Sequence, residues 1–277
     1  MPDLPRLGAA LYLADLARVP GLHDWIQGRD VEIRDFTDIG ALAADAWRPL
    51  AERLRDAFRG HSGRLGLHGP FWGFALDQPD PDFRALVQDR MLTALAAAEV
   101  FCGGQQGHMV IHSPFTTWAS FNRGTEMDDH QGILERTLTT MAPVVKRAVE
   151  TGIVLVIENC EDRDPWERVA LARAFGSEAV RVSLDTGHAH YAHGSTGGPP
   201  VDAHVRAAGP MLAHVHLQDA DGVADRHWAL GRGTIRWHGV FAALTELPEM
   251  PRLILEMART EDVLVSARYL ADQGLAG

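Results

Sequence analysis

Lysine is almost missing from this 277-residue chain: Lys146 is the only one, in the helix-patterned run APVVKRAVE. That argues against Schiff-base chemistry, which needs a lysine at the reacting centre. Cysteine is nearly as scarce. Cys102 and Cys160 lie far apart with no paired motif, so a disulfide framework is excluded and both read as free thiols of a reducing compartment. Cys160 follows Glu158 and Asn159 closely enough to lie near whatever those residues build. No glycine-rich dinucleotide or phosphate-loop signature follows the first apolar run. No apolar stretch approaches membrane-span length. The opening MPDLPRLGAALYLADLARVP lacks a basic start and is interrupted by acids and arginines, so it does not read as a secretory signal, and a cytoplasmic protein is expected. Positive charge is in deficit too. Lys and Arg number 26 against 37 Asp and Glu, a net charge of −11 that disfavours nucleic-acid or membrane-surface partners. Metal ions bound in a cleft would offset that locally.

What is present is a regular alternation. Short β-rich runs fall at 8–13, 31–36, 64–68, 108–112, 153–158, 180–185, 212–217 and 252–257. Between them lie helical runs with apolar residues three and four apart, notably 41–60, 81–101, 130–150 and 164–175. Asp82, Asp164 and Asp262 are the expected helix starters. Eight strands alternating with helices predict a (β/α)8 TIM barrel, a single α/β domain over 1–277. A doubly wound open sheet would feed its ligand crevice from only a few strands. Here residues able to bind metal close strands three to eight.

Those closing residues are the informative feature. His68 ends LGLH, His112 ends MVIH, Glu158 lies in VIEN, Asp185 and His188 in SLDTGH, His216 in HVHLQD and Glu256 in LILE; Asp225 and His227 belong to the loop run ADRH. Carboxylates and imidazoles gathered at one barrel mouth would attract divalent metals. Alternation along strand five puts Val156 and Val154 on the face of Glu158, an acid above apolar layers. His214 shares the face of His216 one step deeper and reads as a residue that orients others. Gly187 suits a chain turning sharply off its strand. His190, His193 and Asp219 read as loop residues. Phe71, Trp72, Phe115 and Trp118 follow His68 and His112 and could wall a substrate pocket. Arg123, Arg226 and Arg232 are available for anionic groups.

Together VIEN, SLDTGHA, HVHLQD, GRGTIRW and LILEM resemble the xylose-isomerase-like barrel superfamily, across roughly His68 to Glu256. That group holds sugar and sugar-phosphate isomerases and epimerases, and the endonuclease IV family of apurinic endonucleases. The epimerase branch implies one divalent metal, often manganese, on Glu158, Asp185, His216 and Glu256. In that branch the two glutamates move protons and His188 contacts substrate. The endonuclease branch implies three zinc ions: one on His68, His112 and Glu158, a second on Glu158, Asp185, His216 and Glu256, a third on His188, Asp225 and His227. Arg232 stands where that branch has a glutamate, and the chain lacks a basic stretch for duplex DNA.

All nine ligand types match, and a one-metal epimerase has no evident need for the outer residues His68, His112, Asp225 and His227. The sequence therefore leads to the expectation of a metal-dependent phosphoesterase with a two- or three-metal centre, zinc ahead of manganese. Its substrate would be a small phosphodiester or sugar phosphate. Glu158, Glu256 and His188 are the expected catalytic residues, and Arg226, Arg232, Trp72 and Phe115 the expected substrate contacts. The alternative is a one-metal sugar or sugar-phosphate isomerase or epimerase in which Glu158 and Glu256 transfer protons.

Overall fold

The computed structural model describes residues 4–43, 46–73 and 75–277. Eight strands close into a parallel barrel in sequence order: β1 (Leu7–Leu11), β2 (Val31–Ile33), β3 (Leu65–His68), β4 (Gly107–His112), β5 (Ile153–Glu158), β6 (Val180–Asp185), β7 (Leu212–Leu217) and β8 (Arg252–Leu255). The last pairs with the first through Leu7 and Leu253, so no edge is left. The (β/α)8 expectation holds. β1 and β2 are shorter than their apolar runs, and Glu256 stands one residue past β8. The expected helix at 41–60 runs only from Trp47 to Ala57; Ala44 and Asp45 within it lie outside the described residues.

Period-2 alternation divides each strand between two environments. One set, including Ile33, Leu67, Met109, Ile111, Leu155, Ile157, Leu184, Val215 and Leu253, is at most 1 % exposed and belongs to the continuous apolar core. The other set faces the barrel axis. Glu32 on β2 reaches His108 on β4 and His214 on β7. Those strands are not neighbours in the barrel, so these contacts can only cross its interior. The expectation of apolar layers beneath the acids is therefore corrected: Val156 is there, but Glu32, His108, Ser183 and His214 form a buried polar layer below the mouth. Gly66 makes room for it, since a Cβ there would fall 2.1 Å from the His108 ring.

Helix starts follow side-chain chemistry. Asp164 caps Pro165–Ala174 by accepting from Trp166 N. Asp80, not Asp82, caps Pro81–Cys102, accepting from Asp82 N and Phe83 N. Pro81 takes the first helical position, where its fixed φ is compatible and its missing N–H costs nothing, which moves the cap one residue earlier. Glu261, not Asp262, precedes Asp262–Asp272, without a side-chain cap. The stretch after Asp185 is no sharp turn: Thr186–Thr196 is helical directly off β6. Gly187 is needed there for close approach, as a Cβ would meet the Gln218 amide at 2.1 Å. No helix among the described residues is long and apolar enough to cross a membrane.

Replacing Asp80 with Ala should lower unfolding free energy by about 1 kcal/mol. Asp82→Ala should cost less, since that residue contributes only charge in the first turn. Urea unfolding of the two variants checks the assignment, and a larger loss at Asp82 would refute it.

Candidate metal centre

The strand ends bring their acids and histidines to one mouth. One potential ligand atom each from Glu158, Asp185, His216 and Glu256 lies within 4.8 Å of all the others, and all four residues are buried. His216 is the middle member. Its Nδ1 contacts Glu158 Oε1 and lies 3.2 Å from Glu256 Oε2. His68, His112 and Glu158 form a second such group, and Asp185, His188 and His227 a third. Asp225 joins the last two histidines, 3.3 Å from His188 Nε2 and 3.2 Å from His227 Nε2. All nine strand-end and loop residues thus lie in one contiguous cluster.

Backbone oxygens fix which ring nitrogen faces the cluster. A carbonyl only accepts, so His68 Nδ1–H donates to Gly69 O at 2.9 Å and His188 Nδ1–H to Asn159 O at 2.7 Å. Their Nε2 atoms are left for the cluster. His227 Nδ1 is held by Glu256 O at 3.3 Å. The carboxylates are divided similarly. Asp185 Oδ1 caps the Thr186–Thr196 helix, accepting from His188 N at 2.7 Å, and also accepts from Gln218 Nε2 at 3.1 Å. Its Oδ2 is buried with no hydrogen-bond partner among the described residues, and so is Glu158 Oε2. Orphaned carboxylate oxygens beside imidazole nitrogens are what a divalent cation would satisfy, so the residues present fit such an ion.

The electrostatics agree. Burial pushes Glu158 and Glu256 up, but His216 overrides it in both, helped at Glu256 by His227 and Arg34, and Glu256 ends at about 2. Burial, only partly offset by His188 and His227 and reinforced by Glu158 and Glu256, lifts Asp185 to about 6. His216 is held well above its ordinary value: burial opposes its charge, but Glu256, Glu158 and Glu32 favour it more strongly. Against burial, Glu256 and Asp225 raise His227 to about 9. As side chains alone, the acids favour the protonated forms of His188, His216 and His227. A cation would offset the same acids and displace those protons.

Other expected residues are placed as follows. Arg226 pairs with Asp221 at 2.9 Å and lies over Trp228, as does Arg232. Arg123 pairs with Glu167 at 2.9 Å. Phe115 is buried and stacks on His130, while Trp72 is exposed beside Phe71. Phe71, His112, Phe115 and Cys160 line a cavity of about 170 Å³ beside the cluster. His190 and His193 bond to Thr234 and Gly198, outside it. Asp219 is no exposed loop acid; it is buried and accepts from Gly231 N and Trp237 Nε1.

Three residues of the site do not follow from the strand-end pattern. Gln218 donates to Asp185 and to Asp225, and its Oε1 accepts from His227 N. That last bond holds the one non-glycine positive φ among the described residues, 47° at His227. Arg34 approaches Glu256 at 3.5 Å. Asn159 ties β5 to β6, exchanging two hydrogen bonds with the backbone of Asp185. The signals were polar residues one or two positions past an apolar run, which carry no metal-ligand chemistry to single them out.

The chain is thus a closed parallel barrel whose carboxyl-end mouth is walled by acids and histidines. The chain is a member of the xylose isomerase-like TIM barrel family, whose sequence model matches residues 29–275. No curated protein matches the chain. Among solved structures, it resembles a D-tagatose 3-epimerase-like protein (TM-score 0.73, 20% identity, 98% of each chain covered). It also resembles a protein from Thermus thermophilus solved after soaking with ZnCl2 (TM-score 0.70, 28% identity, 98% of each chain). A third is the 3-keto-D-glucoside 4-epimerase from E. coli (TM-score 0.67, 14% identity, 96% of this chain and 98% of that one).

These comparisons correct the phosphoesterase expectation, since the similar structures with a stated activity are sugar epimerases. The arginines expected to meet an anionic substrate are found on other partners, Arg123 and Arg226 on acids and Arg232 over an indole face.

Because ligation needs unprotonated ring nitrogens, zinc binding should release protons and tighten with pH. Below about pH 6, protonation of Asp185 should weaken it further. Calorimetric titration of Zn²⁺ into the protein in two buffers of different ionisation enthalpy, between about pH 6 and pH 8, should show at least about one proton released per ion. Identical heats in the two buffers would rule the charge assignment out.

Proposed function

We propose that this protein is a divalent-metal-dependent isomerase or epimerase acting on a small sugar or keto-sugar. The observation that carries it is the placement of Glu158 and Glu256. Both are buried carboxylates held well below the ordinary carboxylate range, chiefly by His216, and both reach His216 Nδ1. Glu158 comes from β5 and Glu256 from the end of β8, so they approach the mouth from different walls of the barrel.

Glu158, Asp185, His216 and Glu256 would hold a divalent ion, zinc or manganese, which when bound would polarise neighbouring substrate oxygens. The chain's own groups handle the proton. A carboxylate on one side removes the acidic proton from the carbon beside the sugar carbonyl, and the carboxylate opposite returns a proton to the other face. Burial strengthens these charges and keeps bulk water from exchanging the proton prematurely. The outer residues then have work without further ions. His68 and His112 lie 3.5 and 3.3 Å from Glu158 Oε2, and His227 lies 3.6 Å from Glu256 Oε2, so both bases have imidazoles placed to steady them. His188, with Nε2 facing the mouth beside Asp225, is placed to contact substrate hydroxyls. Phe71 and Trp72 supply an apolar wall.

The metal-loaded protein in deuterated water should exchange hydrogen at the carbon beside the carbonyl of a ketohexose or keto-glycoside, read by proton NMR. Glu158→Gln and Glu256→Gln should each lower the rate roughly 10²–10⁴-fold. Unchanged exchange in either variant would remove that glutamate from proton transfer. No exchange with any sugar of a broad panel would sink the epimerase reading.

A further inference from the structure

Glu32 is completely buried inside the barrel, on β2, one layer below the mouth. With His108 and His214 it has the spacing of a three-ligand metal site. Hydrogen-bond donors decide otherwise. Arg252 Nη1 lies 2.6 Å from His108 Nδ1. A guanidinium has no acceptor, so His108 Nδ1 must accept and its proton must sit on Nε2. Burial and the Arg252 charge push His108 down to about 3, so the ring is neutral with that single proton. His108 Nε2–H therefore donates to Glu32 Oε2 at 2.7 Å and has no lone pair for an ion.

The other oxygen of Glu32 faces His216. Oε1 lies 2.8 Å from His216 Nε2, and a carboxylate there can only accept. Nδ1 faces the carboxylates of Glu158 and Glu256, so were an ion held between them and Nδ1, the one proton of a neutral His216 would be kept on Nε2 by Glu32. We infer that Glu32 is a positioning residue for the metal centre, selecting the His216 tautomer whose Nδ1 can ligate an ion, while Arg252 and His108 fix which way Glu32 can serve. This rests on the reading that His216 is a ligand. The Arg252–His108–Glu32–His216 chain runs from β8 through β4 and β2 to β7, so the order at the mouth is set from deep in the interior.

Glu32→Gln gives a pointed test, because an amide offers one acceptor and one donor edge. His108, locked by Arg252, claims the oxygen; the NH₂ then faces His216 Nε2 and favours the Nδ1–H tautomer, which cannot ligate. The probe is Zn²⁺, followed at the His216 imidazole by long-range ¹H–¹⁵N NMR. Zinc-loaded wild-type protein should show His216 protonated on Nε2 and zinc-bound at Nδ1. The E32Q variant should bind zinc there about 10–100-fold more weakly. Wild-type affinity in a folded E32Q protein, judged by circular dichroism, would overturn the inference while leaving the metal reading intact. Should E32Q not fold, the wild-type spectrum decides alone, and a zinc-loaded His216 protonated on Nδ1 overturns it. Wild-type protein that binds no zinc would refute the metal reading, and this inference with it.

Discussion

Like charges brought together without water are the constraint around which this molecule is built. Glu158, Asp185 and Glu256 converge in a space closed to solvent, where their repulsion and lost hydration are far more costly than at a surface. Positive charge must answer them. His216 stands among them, Arg34 and His227 reach Glu256, and His112 reaches Glu158. The barrel supplies the geometry for this, since the ends of β5, β6, β7 and β8 approach one point only in a closed sheet.

The strands tolerate so polar an interior because their hydrophobic task is done on the other side. Leu155, Ile157, Val182, Leu184, Val215 and Leu217 are fully or almost fully buried in the core outside the barrel. The axial face is thereby released from packing a conventional apolar centre and holds instead a connected polar column. Buried polar groups there need partners; Glu32, His108 and Ser183 have them, and of His214 only Nε2 is left without a hydrogen bond among the described residues. Such a network favours one arrangement over others, which suits a site that depends on particular tautomers.

The strand ends were legible in the sequence because a parallel barrel gives a simple rule: an apolar run closing in an acid or imidazole delivers that side chain to the mouth. The rule located His68, His112, Glu158, Asp185, His216 and Glu256 at one place without coordinates. It could not reveal Glu32, although VEIRDF carries an acid between two β-branched residues. In a strand buried on both faces that pattern means an axial carboxylate, but its partners lie 76 and 184 residues away. Gln218 was opaque for the opposite reason, since an amide past a strand end has many possible uses. The chemistry was the least legible part. Nine matched ligand types describe a charge cluster, and such a cluster serves hydrolysis and proton transfer alike. Similarity to solved structures whose stated activities are sugar epimerisations turns the reading away from hydrolysis.

Asp185 does two jobs with two oxygens: one caps the helix Thr186–Thr196 and the other is turned into the cluster. These are ends of a single delocalised charge. Anything that draws electron density toward the inner oxygen leaves less at the outer one for the His188 amide, and the first turn of the helix registers the difference. The helix leads directly to Gly197 and the loop beyond, so its far end lies at the outer surface. The barrel mouth and a helix about three turns long thus share one carboxylate.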